Sequence, residues 1–155
     1  MTATVVRELM TTHPVFISET ATLQDAARLM KRINCGVLPV GSEYDLEGII
    51  TDRDIVIRAL ANGSDIFSKR VRDFMSRDVH ICHENDLLRN AAELMHRHNV
   101  SRLIVKDYKG KVSGILSFGG ILRRDPVQAE LTEVVEHAVG WKNRHLPVPS
   151  QAAAR

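Results

Sequence analysis

Two short stretches carry the residue types that suggest chemistry. Gly48 to Asp54 reads GIITDRD, and Gly114 to Gly120 reads GILSFGG. Each opens with glycine, two aliphatics and a hydroxyl residue. The first then supplies an acid three places after its hydroxyl, and the second supplies glycine. Thr51 stands where an apolar run gives way to a helical pattern. The first N–H groups of a helix have no intrahelical partner, so with the threonine hydroxyl and the helix dipole they suit an anion such as phosphate. Asp54, one turn in, adds a charged acceptor, and charged acceptors make the stronger hydrogen bonds. Thr51-x-x-Asp54 equally fits a capping box, in which the acid reaches back to the cap. The two roles are compatible in an empty site. Gly48 admits close approach of a ligand or a neighbouring backbone.

The other candidates are weaker. HICH (His80 to His83) holds metal-ligand residue types. On a strand, however, His80 and Cys82 face one side and His83 the other, and His96 and His98 do not share a helix face. No metal site is expected, and a His-based metal sensor stands only as an alternative. Cys35 and Cys82 read as small core residues rather than nucleophiles or a disulfide framework. No nucleophile–base pair emerges, so no catalytic residue is expected. The basic clusters KRVRDF and LRRD lack interleaved aromatics, which make up 5% of the chain, so nucleic acid is not expected as a partner.

The elements that position these residues follow from an internal repeat. At an offset of 65, VRELM (Val6 to Met10) lies on VRDFM (Val71 to Met75), and LQDAARLMKRIN (Leu23 to Asn34) lies on LRNAAELMHRHN (Leu88 to Asn99). LPV (Leu38 to Val40) lies on LIV (Leu103 to Val105). At an offset of 66, GIITDRDI lies on GILSFGGI. Each half reads as strand (VFI or VHIC), helix, strand (GVLPV or RLIVK), hairpin mate (LEGII or KVSGIL) and helix. Thr22 caps the first helix, with Met30 and Met95 on the repeated apolar stripes. Asn62-Gly63 stops the second helix. The expected fold is α/β (α+β): two β-α-β-β-α repeats with pseudo-two-fold symmetry, at 4–62 and 71–124, joined by a linker at 63–70. A half of about 60 residues is marginal alone, so the two should share a core. Beyond Pro126, Leu131, Val134, Val135 and Ala138 form one stripe, giving an amphipathic helix at 126–142 and a mobile tail at 143–155.

The ordered set of motifs, over roughly residues 4–124, resembles a tandem pair of cystathionine-β-synthase-type (CBS) domains. The resemblance implies a regulatory sensor that binds AMP, ADP, ATP or S-adenosylmethionine between the repeats and does no chemistry. It implies Thr51, Arg53 and Asp54 as nucleotide-binding residues, with Asp54 on the ribose diol. It also implies a basic residue before the second strand of one repeat facing the phosphate held by the other. That position is Arg102 in the second half and Val37 in the first. Pro14, Val15 and Pro39 are candidates for lining the base. Ser117 and Gly120 mark a degenerate second site, with no ribose acceptor and no charge partner. A homodimer and a possible effector protein are the implied macromolecular partners. An interaction or stress-response module with vestigial sites is the rival reading.

Composition agrees with this class. The 155 residues are 44% apolar and 26% charged, with 21 basic and 19 acidic side chains, a net charge of +2. That balance argues against a nucleic-acid binder. No apolar run approaches the roughly 20 residues of a membrane span, and the N-terminus lacks a signal-peptide core. A cytoplasmic, non-membrane protein is expected.

Overall fold

The computed structural model describes residues 3–124. The expected helix at 126–142 and the tail at 143–155 lie outside them. In chain order the elements are α1 (Val6–Leu9), β1 (Thr11–Thr12), α2 (Leu23–Ile33), β2 (Val37–Gly41), β3 (Leu46–Thr51), a π-type helix (Asp54–Ala59) closing as a 3-10 turn (Leu60–Asn62), a 3-10 turn (Val71–Asp73), β4 (Ile81–His83), α3 (Leu88–His98), β5 (Arg102–Lys106), β6 (Val112–Ser117) and α4 (Phe118–Arg124). The mixed α/β class with two related halves holds.

Local chemistry sets the helix ends. Thr22 and Asp25 form a reciprocal capping box at α2: each backbone N–H donates to the other's side chain at 3.1 Å. Asn34 and Asn99, equivalent in the repeat, end α2 and α3 in the left-handed conformation at φ 52° and 58°. Gly63, at φ 72°, ends the helical run that began at Asp52. The first expected strand is reduced. Of VFI, only Ile17 pairs, through an isolated parallel bridge to Val40. Pro14 just before it has no N–H to give a ladder.

The strands form two sheets. The hairpin β2/β3 stands alone, while β1, β6, β5 and β4 pair in that order, β4 parallel to β5 and the others antiparallel. Between them lies a shared cluster of Val37, Ile104, Val112 and Ile115, packed by Phe16, Leu46, Ile49 and Val79 from both halves. The turns also join: Val112 N–H donates to Glu43 O at 2.8 Å, and Lys111 pairs with Glu43 at 3.0 Å.

Each half has its own core behind its sheet, and the lead-in segments exchange between them. Val6, Leu9 and Met10 pack with Cys82, Leu88, Leu103 and Leu116 of the second half. Val71 and Met75 pack with Leu23, Leu38 and Ile50 of the first. Backbone bonds fix both exchanges. Val6 N–H donates to Asp86 O and Leu88 N–H to Thr4 O, while Val71 N–H donates to Ala21 O and Leu23 N–H to Lys69 O. The Gly48 position found in sequence has its reason here: a Cβ would stand 2.5 Å from Ser76 O, so the approaching backbone belongs to Phe74–Arg77, the second linker, which joins the VRDFM lead-in to β4.

Cys82 lies in the second core, 3% exposed. Burial, with the nearby Asp86 carboxylate, pushes its thiol up to about 12. Ionisation is the disfavoured direction, so the nucleophilic thiolate is scarce until strongly alkaline pH. In native protein at pH 8 one thiol, Cys35, should react with a thiol-specific disulfide reagent. The Cys82 thiol should react only on unfolding. Two fast equivalents in the native state would contradict the packing.

Candidate functional site

The site begins where β3 ends. Leu46–Thr51 pairs along β2, with Val37 opposite Thr51, and the chain then turns into the helical run from Asp52. That turn brings Thr51 and Asp54 together through three hydrogen bonds. Thr51 N–H and Thr51 Oγ1–H each donate to Asp54 Oδ2 at 2.9 Å, and Asp54 N–H donates to Thr51 Oγ1 at 3.1 Å. The capping box anticipated as the plain reading is formed. All three bonds use Oδ2 or the threonine oxygen. Among the described residues Oδ1 faces only the Arg58 guanidinium, at 3.6 Å, beyond a hydrogen bond. A carboxylate oxygen can accept two bonds, so Oδ1 retains acceptor capacity beside a cation. The Asp54 side chain is 16% exposed, a wall position rather than a solvated one.

Arg53 is exposed beside the turn, and its N–H donates to Asp52 Oδ1 at 2.8 Å. Asp52 was missed as a site neighbour in the sequence. Its N–H donates to Gly36 O at 3.0 Å, and its carboxylate lies over Gly36, where a Cβ would stand 2.5 Å from Oδ2. A side chain at Gly36 would require the exposed Asp52 carboxylate to swing aside. Pro39, buried on β2, accepts from Ile17 N–H at 3.0 Å. This brings the segment of half-buried Pro14 and exposed Val15 alongside β2.

The second half retains the geometry and lacks the acid. Gly120 N–H donates to Ser117 Oγ at 3.0 Å, so the hydroxyl cap persists, and a Cβ at Gly120 would sit 2.8 Å from Ser117 Oγ. Arg102 pairs in register with Ser117, as Val37 does with Thr51. Its guanidinium donates to Ser101 Oγ at 3.4 Å, and no hydrogen bond or ion pair joins it to Thr51 or Asp54. Arg58 was also missed. Its signal was its equivalence to Arg124 at the 66-residue offset, since both arginines reach lead-in carbonyls.

The histidines form a different contact. His80 stacks on His98 with ring centroids 4.1 Å apart. Among the described residues no three His, Cys, Asp or Glu side chains are grouped to hold a metal ion.

A duplicated unit, a shared sheet interface and one acid-bearing Thr-x-x-Asp turn define a paired-repeat module. The chain belongs to the CBS domain family, whose model matches residues 6–60 and 71–127. It is 37% identical over 116 residues to the CBS domain-containing protein YhcV of Bacillus subtilis, covering 75% of this chain and 81% of that one. Among solved structures it is similar to the CBS domain pair of protein MJ0100 in complex with 5′-methylthioadenosine and S-adenosyl-L-methionine. There the TM-score is 0.70, with 29% identity, 79% of this chain and 95% of that one covered. It is similar also to Hypoxic Response Protein I with two coordinated zinc ions, at TM-score 0.67, 30% identity, and coverage of 79% and 100%. Other relatives are longer proteins, of which the matched region spans 23% to 36%. No helix among the described residues is long and apolar enough to cross a membrane.

Proposed function

We propose that this CBS pair senses an adenosine-containing ligand, one of AMP, ADP, ATP or S-adenosylmethionine, held at Thr51 and Asp54. The observation that carries the reading is the division of labour within the Asp54 carboxylate. Oδ2 is consumed by the Thr51 cap, whereas Oδ1 keeps acceptor capacity for the two hydroxyls of a ribose. In the empty protein the donors of Thr51 and the N–H groups of Asp52, Arg53 and Asp54 are all paired locally, so a phosphate would be held by exchange of these bonds and by the helix dipole. Pro39, with the Pro14–Val15 segment alongside, supplies apolar surface for the base. Arg53 and Arg102 are assigned to phosphate charge, Arg102 from the second repeat. The Ser117–Gly120 turn, without an acid, is read as a degenerate site. The ligand complex of the MJ0100 pair supports this class of ligand.

The ligand would prefer one relative arrangement of the halves and shift that population. The signal would leave through a homodimer or an effector protein. Val56, Ile57 and Leu60 on the first half's helix and Leu122 on α4 are 46–51% exposed, an apolar surface suited to such contact. The protein itself is read as non-catalytic and cytoplasmic.

The test is a thermal-shift panel with AMP, ADP, ATP, S-adenosylmethionine and NADH. A ligand at about 100 times its Kd adds roughly 2.7 kcal/mol, a shift of several degrees. Absence of any shift at millimolar ligand would replace this reading by an interaction module with vestigial sites. With adenosine added to the panel, Arg102→Ala should weaken phosphorylated ligands about tenfold or more and leave adenosine within about twofold, since only phosphate gains a charge-assisted bond. Equal losses for both would remove Arg102 from the phosphate.

A further inference from the structure

Arg58 and Arg124 occupy equivalent places in the two halves, and both guanidiniums tie down an exchanged lead-in. Arg124 Nη1 donates to Met10 O and, at 3.4 Å, to Leu9 O. Arg58 Nη1 donates to Phe74 O at 2.6 Å. These carbonyls end the VRELM and VRDFM segments. The two clamps differ in one respect. Arg58 also stands 3.6 Å from Asp54 Oδ1, whereas the residue facing Arg124 in that position is Gly120. One nitrogen of Arg58 is thus shared between an acid in the candidate site and a carbonyl of the linker. Among the described residues Arg124 serves its lead-in alone.

The linker carbonyl is well placed to pass this on. Met75, next to Phe74, is buried in the first core. Ser76 then exchanges two backbone bonds with Ile49 of β3, at 2.8 and 2.9 Å, and Arg77 pairs with Glu19 at 3.4 Å. The chain runs directly on to β4 of the second half. Whatever changes the hold of Arg58 on Phe74 O acts at the root of the connection between the halves.

We infer that Arg58 is a positioning residue that couples occupancy of Asp54 to the docking of the Phe74–Arg77 linker. Its ligand-dependent arm rests on the nucleotide reading above, and the tether itself does not. In the empty protein Arg58 Nη1 lies 2.6 Å from Phe74 O and 3.6 Å from Asp54 Oδ1, so a carbonyl and a carboxylate compete for one donor nitrogen. A ribose diol donating to Oδ1 spreads the carboxylate's charge over new partners, so Arg58 gives its bond more fully to the linker. The linker tightens when the site fills. The second half has no such response because Gly120 offers nothing to compete with Met10 O.

Amide hydrogen exchange on the full chain tests this with Arg58→Gln, Asp54→Asn and the double variant, without ligand and with AMP. Without ligand, R58Q should speed exchange at Met75 and Ser76 by about tenfold, the size of one charge-assisted bond. D54N should slow the same amides severalfold in the Arg58 background and leave them unchanged in R58Q. AMP should slow them in the wild type and not in R58Q. Arg124→Gln should loosen residues 6–12 while preserving the D54N effect. Should R58Q also speed exchange in β5, a sign of global loss, Arg58→Met takes its place: it keeps an apolar stem without charge or donor and should still abolish the D54N response. Unchanged linker exchange in R58Q, or a D54N effect that persists without Arg58, would overturn the tether. If AMP moves no amide in the wild type, the nucleotide reading fails, and the ligand-free comparison still decides the tether.

Discussion

Asp54→Ala should remove the thermal shift given by whichever adenosine ligand stabilises the wild type, while the unliganded protein loses only about 1 kcal/mol. The two effects separate because the carboxylate has two oxygens in different employment. Oδ2 caps the turn, and losing a helix cap costs about 1 kcal/mol. Oδ1 would carry the ligand, and bonds from a diol to a charged acceptor contribute about 1.5–3 kcal/mol each. Losing two of them lowers affinity by about a hundredfold or more, since each 1.4 kcal/mol is a factor of ten. At a ligand concentration about 100 times the wild-type Kd, occupancy in the variant falls to half or less. The measurement is a titration of ligand against Tm for both proteins, with Kd from calorimetry. Unchanged affinity with a lowered Tm would make Asp54 a cap and nothing more. Lost affinity with a Tm lowered by no more than the loss of one cap is the signature of a ligand contact.

How far the sequence reveals this molecule depends on whether a feature is local. The α2 cap at Thr22, the stops at Asn34, Asn99 and Gly63 and the β2/β3 and β5/β6 hairpins are set by residues within a few positions of each other. All but the asparagine conformations were legible. The Thr51–Asp54 contact is likewise local, three residues apart. The exchange of lead-ins was not legible, for a physical reason: VRELM and VRDFM present the same apolar residues at the same spacing, so either core accepts either segment by composition. Chain path decides between them, and that is a long-range property. The widening of the helix over Asp54–Ala59 was hidden too, because DIVIRA has no glycine or proline to mark a change of pitch. Asp52 escaped notice because its role depends on Gly36, sixteen positions earlier, lying beneath it.

The exchange makes its own demand on two glycines, from which the second large effect follows. Gly48 and Gly114 are equivalent in the repeat, and each lies under the backbone of the exchanged segment. At Gly48 a Cβ would meet Ser76 O at 2.5 Å. At Gly114 it would meet Thr11 O at 2.8 Å and Met10 Sδ at 2.7 Å. No real Cβ tolerates a backbone oxygen that close, so either the strand or the lead-in must move. At Gly48 the lead-in is held by two bonds between Ser76 and Ile49, and at Gly114 by the short β1/β6 pairing. Overpacking of this kind costs about 1–3 kcal/mol. Gly48→Ala should fall at the upper end, because the displaced segment loses its paired bonds as well as its fit. Gly114→Ala should fall lower, since the thioether of Met10 can swing aside and Thr11 sits on an exposed, two-residue strand. Urea unfolding should show a reduced midpoint at unchanged slope for both, the mark of lost stability without a changed unfolding surface. Losses under about 0.5 kcal/mol in Gly48→Ala would mean that the linker docks more loosely than its bonds to Ile49 imply. The same result would weaken the linker's claim to carry a signal between the halves, since a segment that yields to one methyl group cannot transmit a shift of that size.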